Sequence, residues 1–144
     1  MRPLHERFGD SLPRLTAASY RVTSPATPLY NCIAWVLGVE DVWWWPSPTR
    51  FWPDTALREE SVSAFVAAFA AVGYSVCSNG TLEAGVEKIV LYVKGDRPTH
   101  AARQLENGWW TSKLGQEADI EHETPETMGG GIYGEPMVFL SRRT

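Results

Sequence analysis

Lys88-Ile-Val-Leu-Tyr-Val-Lys-Gly-Asp-Arg-Pro-Thr-His-Ala-Ala-Arg-Gln-Leu-Glu-Asn-Gly-Trp-Trp-Thr-Ser-Lys-Leu114 is the stretch on which the fold turns. Its opening run, Lys88–Val93, is continuous and β-prone, the pattern of a strand buried on both faces. Thr99–Leu105 and Trp109–Leu114 then flank Asn107-Gly108, a dipeptide whose two residues tolerate the positive φ that a tight hairpin turn demands. A sheet is therefore expected in the second half of the chain. Pro136-Met-Val-Phe-Leu140 adds a last strand. Between them, residues 116–131 are acidic and end in Gly129-Gly130-Gly131, which reads as a long loop.

Toward the N-terminus the period changes. Across residues 56–72, Val62, Phe65, Val66, Phe69 and Val72 recur at steps of three and four with Gly73 just beyond, which predicts an amphipathic helix and its stop. Asp41–Pro53 holds four tryptophans and three prolines in thirteen residues, a composition that precludes a regular helix and favours a packed loop. Asn31–Leu37 is apolar after its first residue; Asn31 can cap a helix and Gly38 can end it, so a short buried helix begins at or near Cys32. Residues 1–29 carry Pro3, Pro13, Pro25 and Pro28 among Ser and Thr, predicting an extended arm that lies on the domain. The expected architecture is α+β, with N-terminal helices packed on a C-terminal antiparallel sheet. Residues 1–29 form the arm and 30–144 a single domain.

Composition narrows the function. Seventeen acidic against thirteen basic residues, spread through the chain, leave no basic stripe for a phosphate backbone, so nucleic acid is not an expected partner. The polar, Pro-interrupted N-terminus is unlike a secretory signal, and no apolar run approaches the ~18 residues of a spanning helix, so a soluble, cytoplasmic protein without a membrane partner is expected. Cys32 and Cys77 are too few for a disulfide framework and read as thiols. No Cys-x-x-Cys or His-x-x-x-His pair gathers metal ligands, and no glycine-rich loop ends in Gly-Lys-Ser/Thr. No metal and no cofactor is expected.

Cys32, at a helix start, faces unsatisfied backbone N–H groups and the positive end of the helix dipole, which favour thiolate over thiol. The plainer reading is a packed cysteine beside Ile33, Ala34 and Trp35. Cys77, ending a β-prone segment, reads as structural. Of three histidines, His100 opens a predicted strand just after the turn-forming Asp96-Arg-Pro-Thr99, a position suited to a general base, or else is a half-exposed sheet histidine. His5 falls in the arm, and His122, on the acidic loop, reads as solvated. The tryptophans read mainly as core and loop packing, with Trp45 a candidate for substrate contact.

Cys32, His100 and the strand after the Asn107-Gly108 turn follow the order of the papain-like cysteine peptidase and amidase superfamily: a helix-borne cysteine, a strand-borne histidine, then a polar orienter on the next strand. Thr111-Ser-Lys-Leu-Gly115 is similar to the Asn-Ser-Trp-Gly segment of papain, a comparison that puts Ser112 where the orienting asparagine stands; serine is a departure. More narrowly, Tyr30-Asn-Cys-Ile-Ala-Trp35, Thr99-His-Ala-Ala-Arg-Gln104, Trp110-Thr-Ser-Lys-Leu-Gly115 and Asp119-Ile-Glu-His122 resemble a bacterial family of small proteins without an assigned function. The papain-like glutamine upstream of the cysteine is missing, so Asn31 or local backbone N–H groups would hold an oxyanion. Turn register offers Lys113 slightly more readily than Ser112 as the neighbour of His100, a bulge would reverse that, and Asp119 is a third choice. The resemblance implies acyl transfer on a peptide, protein or small amide or ester substrate. The alternative is a non-catalytic module on the same fold that binds a protein partner.

Overall fold

The computed structural model describes residues 2–144 and shows a mixed α/β chain, mostly antiparallel sheet with a few short helices. Seven strands lie in the order β1-β6-β5-β4-β3-β7-β2: β1 Tyr20–Ser24, β2 Ser75–Cys77, β3 Val86–Lys94, β4 Arg97–Gln104, β5 Trp110–Lys113, β6 Asp119–His122 and β7 Glu135–Arg143. Every neighbouring pair is antiparallel.

The unbroken apolar run of β3 follows from having a core on each face. Ile89, Leu91 and Val93 join Ile33, Phe65 and Leu140 in one core, under helices α2 (Cys32–Val36) and α3 (Val62–Ala70) and the tryptophan-rich loop. Val90 and Tyr92 join Leu12, Ile120 and Met128 in the other, under α1 (Leu4–Phe8) and two 3-10 turns, Gly9–Ser11 and Pro125–Met128. Helix α2 begins where predicted: the Asn31 side chain accepts the Ala34 N–H at 3.2 Å, as an N-cap does. Helix α3 is shorter than the predicted 56–72, because Ser61 caps it by accepting from Ala64 N–H and the residues before it are turns.

Three expectations change. The proline-rich N-terminal segment is not simply an extended arm: it forms α1, buries Leu4, Leu12 and Leu15, and contributes edge strand β1, so a strand precedes α2 and α3. Residues 116–131 are not one long loop, since β6 and a 3-10 turn lie within them. With Ile120 the lone apolar residue of β6, alternation there leaves almost no hydrophobic signal. The hairpin, finally, has a three-residue loop. Leu105 N–H donates to Trp109 O at 2.7 Å around Glu106-Asn107-Gly108, and Gly108 takes φ +90°, the left-handed conformation that such a loop needs. Trp110 therefore pairs with Gln104 rather than Leu105, a slip of one residue that exchanges the faces of the whole strand.

Candidate functional site

That slip selects among the candidate partners of His100. Ser112 now shares its face of the sheet, and Ser112 Oγ lies 2.9 Å from His100 Nε2. Lys113 points to the other face, where its ammonium sits 5.3 Å from the Tyr30 ring centre and donates to the Glu117 carbonyl. Burial lowers the pKa of Lys113, against opposing attraction from Asp119 and Glu117. Asp119 is likewise engaged away from His100, accepting the Tyr30 hydroxyl at 2.6 Å. Neither orients the imidazole.

Strands β4 and β5 pair only at Arg103–Thr111 and Gln104–Trp110, then part. Helix α2 packs on these two strands. Within the parting, the backbone N–H of Ala101, the residue after His100, is directed at the Cys32 sulfur, as are the N–H groups of Ile33 and of Cys32 itself. A backbone donor that would have met a β5 carbonyl instead acts on the thiol, lowering its pKa. The sequence places Cys32 correctly but misjudges its net state. These donors and the Lys113 charge pull the thiol pKa down, yet burial at 6% exposure outweighs them and pushes it up to about 11.

His100 is wholly buried, within β4 rather than at its mouth, on the far side of a β-bulge. Tyr133 stacks on its imidazole with ring centres 4.0 Å apart and planes 9° from parallel. Burial, reinforced by repulsion from His122, holds its pKa well below the ordinary histidine value. Nε2 faces Ser112, while Nδ1 has no hydrogen-bond partner.

The residue that sequence reasoning missed is His122. It is not solvated on an acidic loop: strand β6 turns it inward at 0% exposure. Its Nε2 lies 2.7 Å from Ser112 Oγ and its Nδ1 2.8 Å from the Thr124 carbonyl oxygen. Burial lowers its pKa to about 4, against the Thr124 contact. A two-residue alternation of Ile120 and His122 was the available signal, obscured by the acidic residues around them, Asp119, Glu121 and Glu123.

A cavity of about 290 Å³ opens at the sulfur, lined by Cys32, Asn31, Trp43, Trp45, Thr99, Gly115 and Tyr133, with no charged side chain among them. Trp43 and Trp45 are half-buried walls, whereas Trp44 and Trp52 belong to the core. The Asn31 side chain is tied to the backbone: its Oδ1 accepts from Ala34 and Trp44 N–H, and one Nδ2 hydrogen goes to the Trp44 carbonyl. The second Nδ2 hydrogen and the backbone N–H groups at the start of α2 are the candidate donors to an oxyanion. Tyr133 reaches the cavity from a glycine-rich turn wedged against the domain: a Cβ on Gly131 would lie 2.1 Å from Ser11 O, and one on Gly134 2.2 Å from Val93 O. A larger cleft, about 890 Å³, opens beside Leu82–Glu87 and Arg103–Glu106, but no cysteine, histidine or serine lines it.

Among the described residues no helix is long and apolar enough to cross a membrane, and no group of three or more His, Cys, Asp or Glu side chains is placed to hold a metal ion. No curated protein and no solved structure matches the chain. A family model does match, over residues 21–141, a span that takes in Cys32, His100, Ser112 and His122 alike. The chain belongs to the family described as Domain of unknown function (DUF7689).

Proposed function

We propose that this protein is a cysteine-dependent acyl-transfer enzyme of papain-like type, with Cys32 as nucleophile and His100 as general base. The observation that carries the reading is the unpartnered, buried Nδ1 of His100, a residue that precedes the Ala101 N–H acting on the Cys32 sulfur and stacks on Tyr133, which lines one cavity with Cys32. A buried nitrogen without a partner costs roughly 1–3 kcal/mol, a cost tolerated where the atom has a chemical task. The order of cysteine helix, histidine strand and polar strand supports the papain-like comparison. Serine in place of asparagine and the absent upstream glutamine are departures within it.

The thiol pKa is raised and the imidazole pKa lowered, so the resting pair is neutral thiol and neutral imidazole. The proton therefore moves during attack. As sulfur bonds to the carbonyl carbon of an amide or ester, His100 Nδ1 takes the thiol proton, and the carbonyl π electrons move onto oxygen, facing the N–H groups at the start of α2. Collapse of the tetrahedral adduct breaks the bond to the leaving amine or alcohol, which takes the proton from His100. The thioester on Cys32 then passes its acyl group to water or an amine, with His100 again relaying the proton. Uncharged aromatic walls favour a neutral acyl group.

Incubation with p-nitrophenyl acetate, butyrate and succinate, read by p-nitrophenol release and by mass spectrometry of the Cys32 peptide, tests this. Neutral acyl groups should transfer to Cys32 faster than succinyl. Cys32→Ala should abolish acylation with a stability loss of about 1 kcal/mol or less, and His100→Ala should slow it by a factor on the order of 10²–10⁴. Acylation of Cys32 that is indifferent to His100→Ala would remove the mechanism. The deep burial of Cys32 and His100 favours one rival, a non-catalytic module whose cavity binds a neutral segment of a protein partner. That reading predicts no acyl adduct at all.

A further inference from the structure

We infer that His122 and the Thr124 carbonyl set the tautomer of His100 through Ser112, leaving the Nδ1 lone pair of His100 free. This deepens the acyl-transfer reading and rests on it only for its consequence, not for its geometry.

The argument is one of donor and acceptor counting along four groups. A carbonyl oxygen only accepts, so the 2.8 Å contact between Thr124 O and His122 Nδ1 requires the proton of His122 to be on Nδ1. A neutral imidazole carries one N–H, so His122 Nε2 is then an acceptor. The atom facing it at 2.7 Å is Ser112 Oγ, which must donate its single hydrogen there. With that hydrogen committed, Ser112 Oγ can only accept from its other neighbour, His100 Nε2, at 2.9 Å. His100 therefore carries its proton on Nε2 and presents a bare Nδ1, the ring nitrogen that has no partner. Any other assignment of neutral rings sets two lone pairs or two hydrogens against each other in a site where Ser112, His100 and His122 are all 0% exposed. The two lengths fit the same direction, since O–H donors make shorter bonds than N–H donors.

Ser112 and His122 are thus positioning residues. A base for a thiol proton needs a lone pair toward the sulfur, and the opposite tautomer would present an N–H there. Serine, shorter than asparagine and able to donate or accept, would by itself leave the choice open. The carbonyl at the far end of the chain removes that freedom, supplying the direction that an asparagine oxygen supplies in papain-like sites.

Long-range ¹H–¹⁵N correlation spectra of the full chain labelled on histidine test the inference directly. Three imidazoles contribute, and His5→Asn with His122→Gln identifies each of them. His100 is expected to be protonated on Nε2 and His122 on Nδ1. His122→Gln keeps a carbonyl acceptor for Ser112, so it should retain both the His100 signature and the rate of Cys32 acylation by p-nitrophenyl acetate. His122→Phe removes the acceptor. It should shift His100 toward a mixture of tautomers and slow acylation on the order of tenfold. Ser112→Ala cuts the chain at its middle and should produce the same mixture. A wild-type His100 protonated on Nδ1, or His100 signals unmoved in both Ser112→Ala and His122→Phe, overturns the inference. A wild-type protein with the expected tautomers that never acylates Cys32 would instead sink the acyl-transfer reading and leave this chain of hydrogen bonds standing.

Discussion

The seam between β3 and β7 and the seam between β4 and β5 belong to one sheet and are built differently. Strands β3 and β7 stay in register from Val86–Arg143 to Val93–Glu135 with one irregularity, so backbone donors and acceptors along that seam meet their strand partners. Strands β4 and β5 pair over two residues and separate. The first seam satisfies the backbone by regularity. The second leaves donors unspent, and Cys32 sulfur, His100 and Ser112 gather there. Regular pairing provides stability, and its interruption makes room for the site of the proposed acyl transfer.

Three perturbations separate the seams. The largest effect is expected from Leu140→Ala on β7, a residue wholly buried in the helix-side core beside Ile89. Urea titration should show a loss of about 2–5 kcal/mol, with Cys32 acylation per folded molecule unchanged. A comparable loss of acylation would mean that the seams are not separable.

Acid should act on the other seam. The pKa of His122 falls from 6.5 in the unfolded chain to about 4 in the fold, and that of His100 is also lowered. Each contributes stability that is complete above about pH 6.5 and is lost as the pH falls, because the unfolded chain then binds more protons. For His122 the loss from pH 6.5 to about 4 is on the order of 3 kcal/mol. Thermal melts of the wild type and His122→Gln across this range should converge toward acid. Parallel curves would place the acid sensitivity elsewhere.

The smallest effect is expected from Asn31→Ala. Loss of the α2 cap and of the bonds to Trp44 should cost about 1–2 kcal/mol in urea. It should also loosen the tryptophan wall, read as greater quenching of tryptophan fluorescence by acrylamide. An unchanged quenching curve would detach Asn31 from the cavity.

Much of the first seam was legible from residue types. Lys88–Val93 announces a buried strand because a two-faced core demands continuous apolar sequence, and Pro136–Leu140 announces a strand by its β-prone residues. Cys32 at the start of a capped helix was equally plain, since Asn31 is a strong N-cap and Gly38 a natural stop. The second seam was legible only in part. Ser112 and Lys113 are neighbours whose faces depend on whether the Asn107-Gly108 loop holds two or three residues, and the sequence allows either. His122 was hidden because a strand of Asp-Ile-Glu-His reads as polar loop until a second core is known to cover it. That core comes from Leu4, Leu12 and Leu15, which the prolines around them disguise as an arm. The thiol pKa was out of reach for another reason: helix-start donors are visible in sequence, but the competing cost of burial is a property of the assembled fold.

The contact between Ala101 N–H and the Cys32 sulfur has a mechanical side. A thiol is an acceptor of modest strength, and a thioester sulfur, its electrons drawn toward the carbonyl, is weaker still. If Cys32 is acylated as proposed, Ala101 N–H would lose the group that stands in for its missing strand partner. The parting between β4 and β5 would then be tightest when the site is empty and slackest when it is loaded. Each turnover would unlace the sheet by a single stitch and draw it closed again as the acyl group departs.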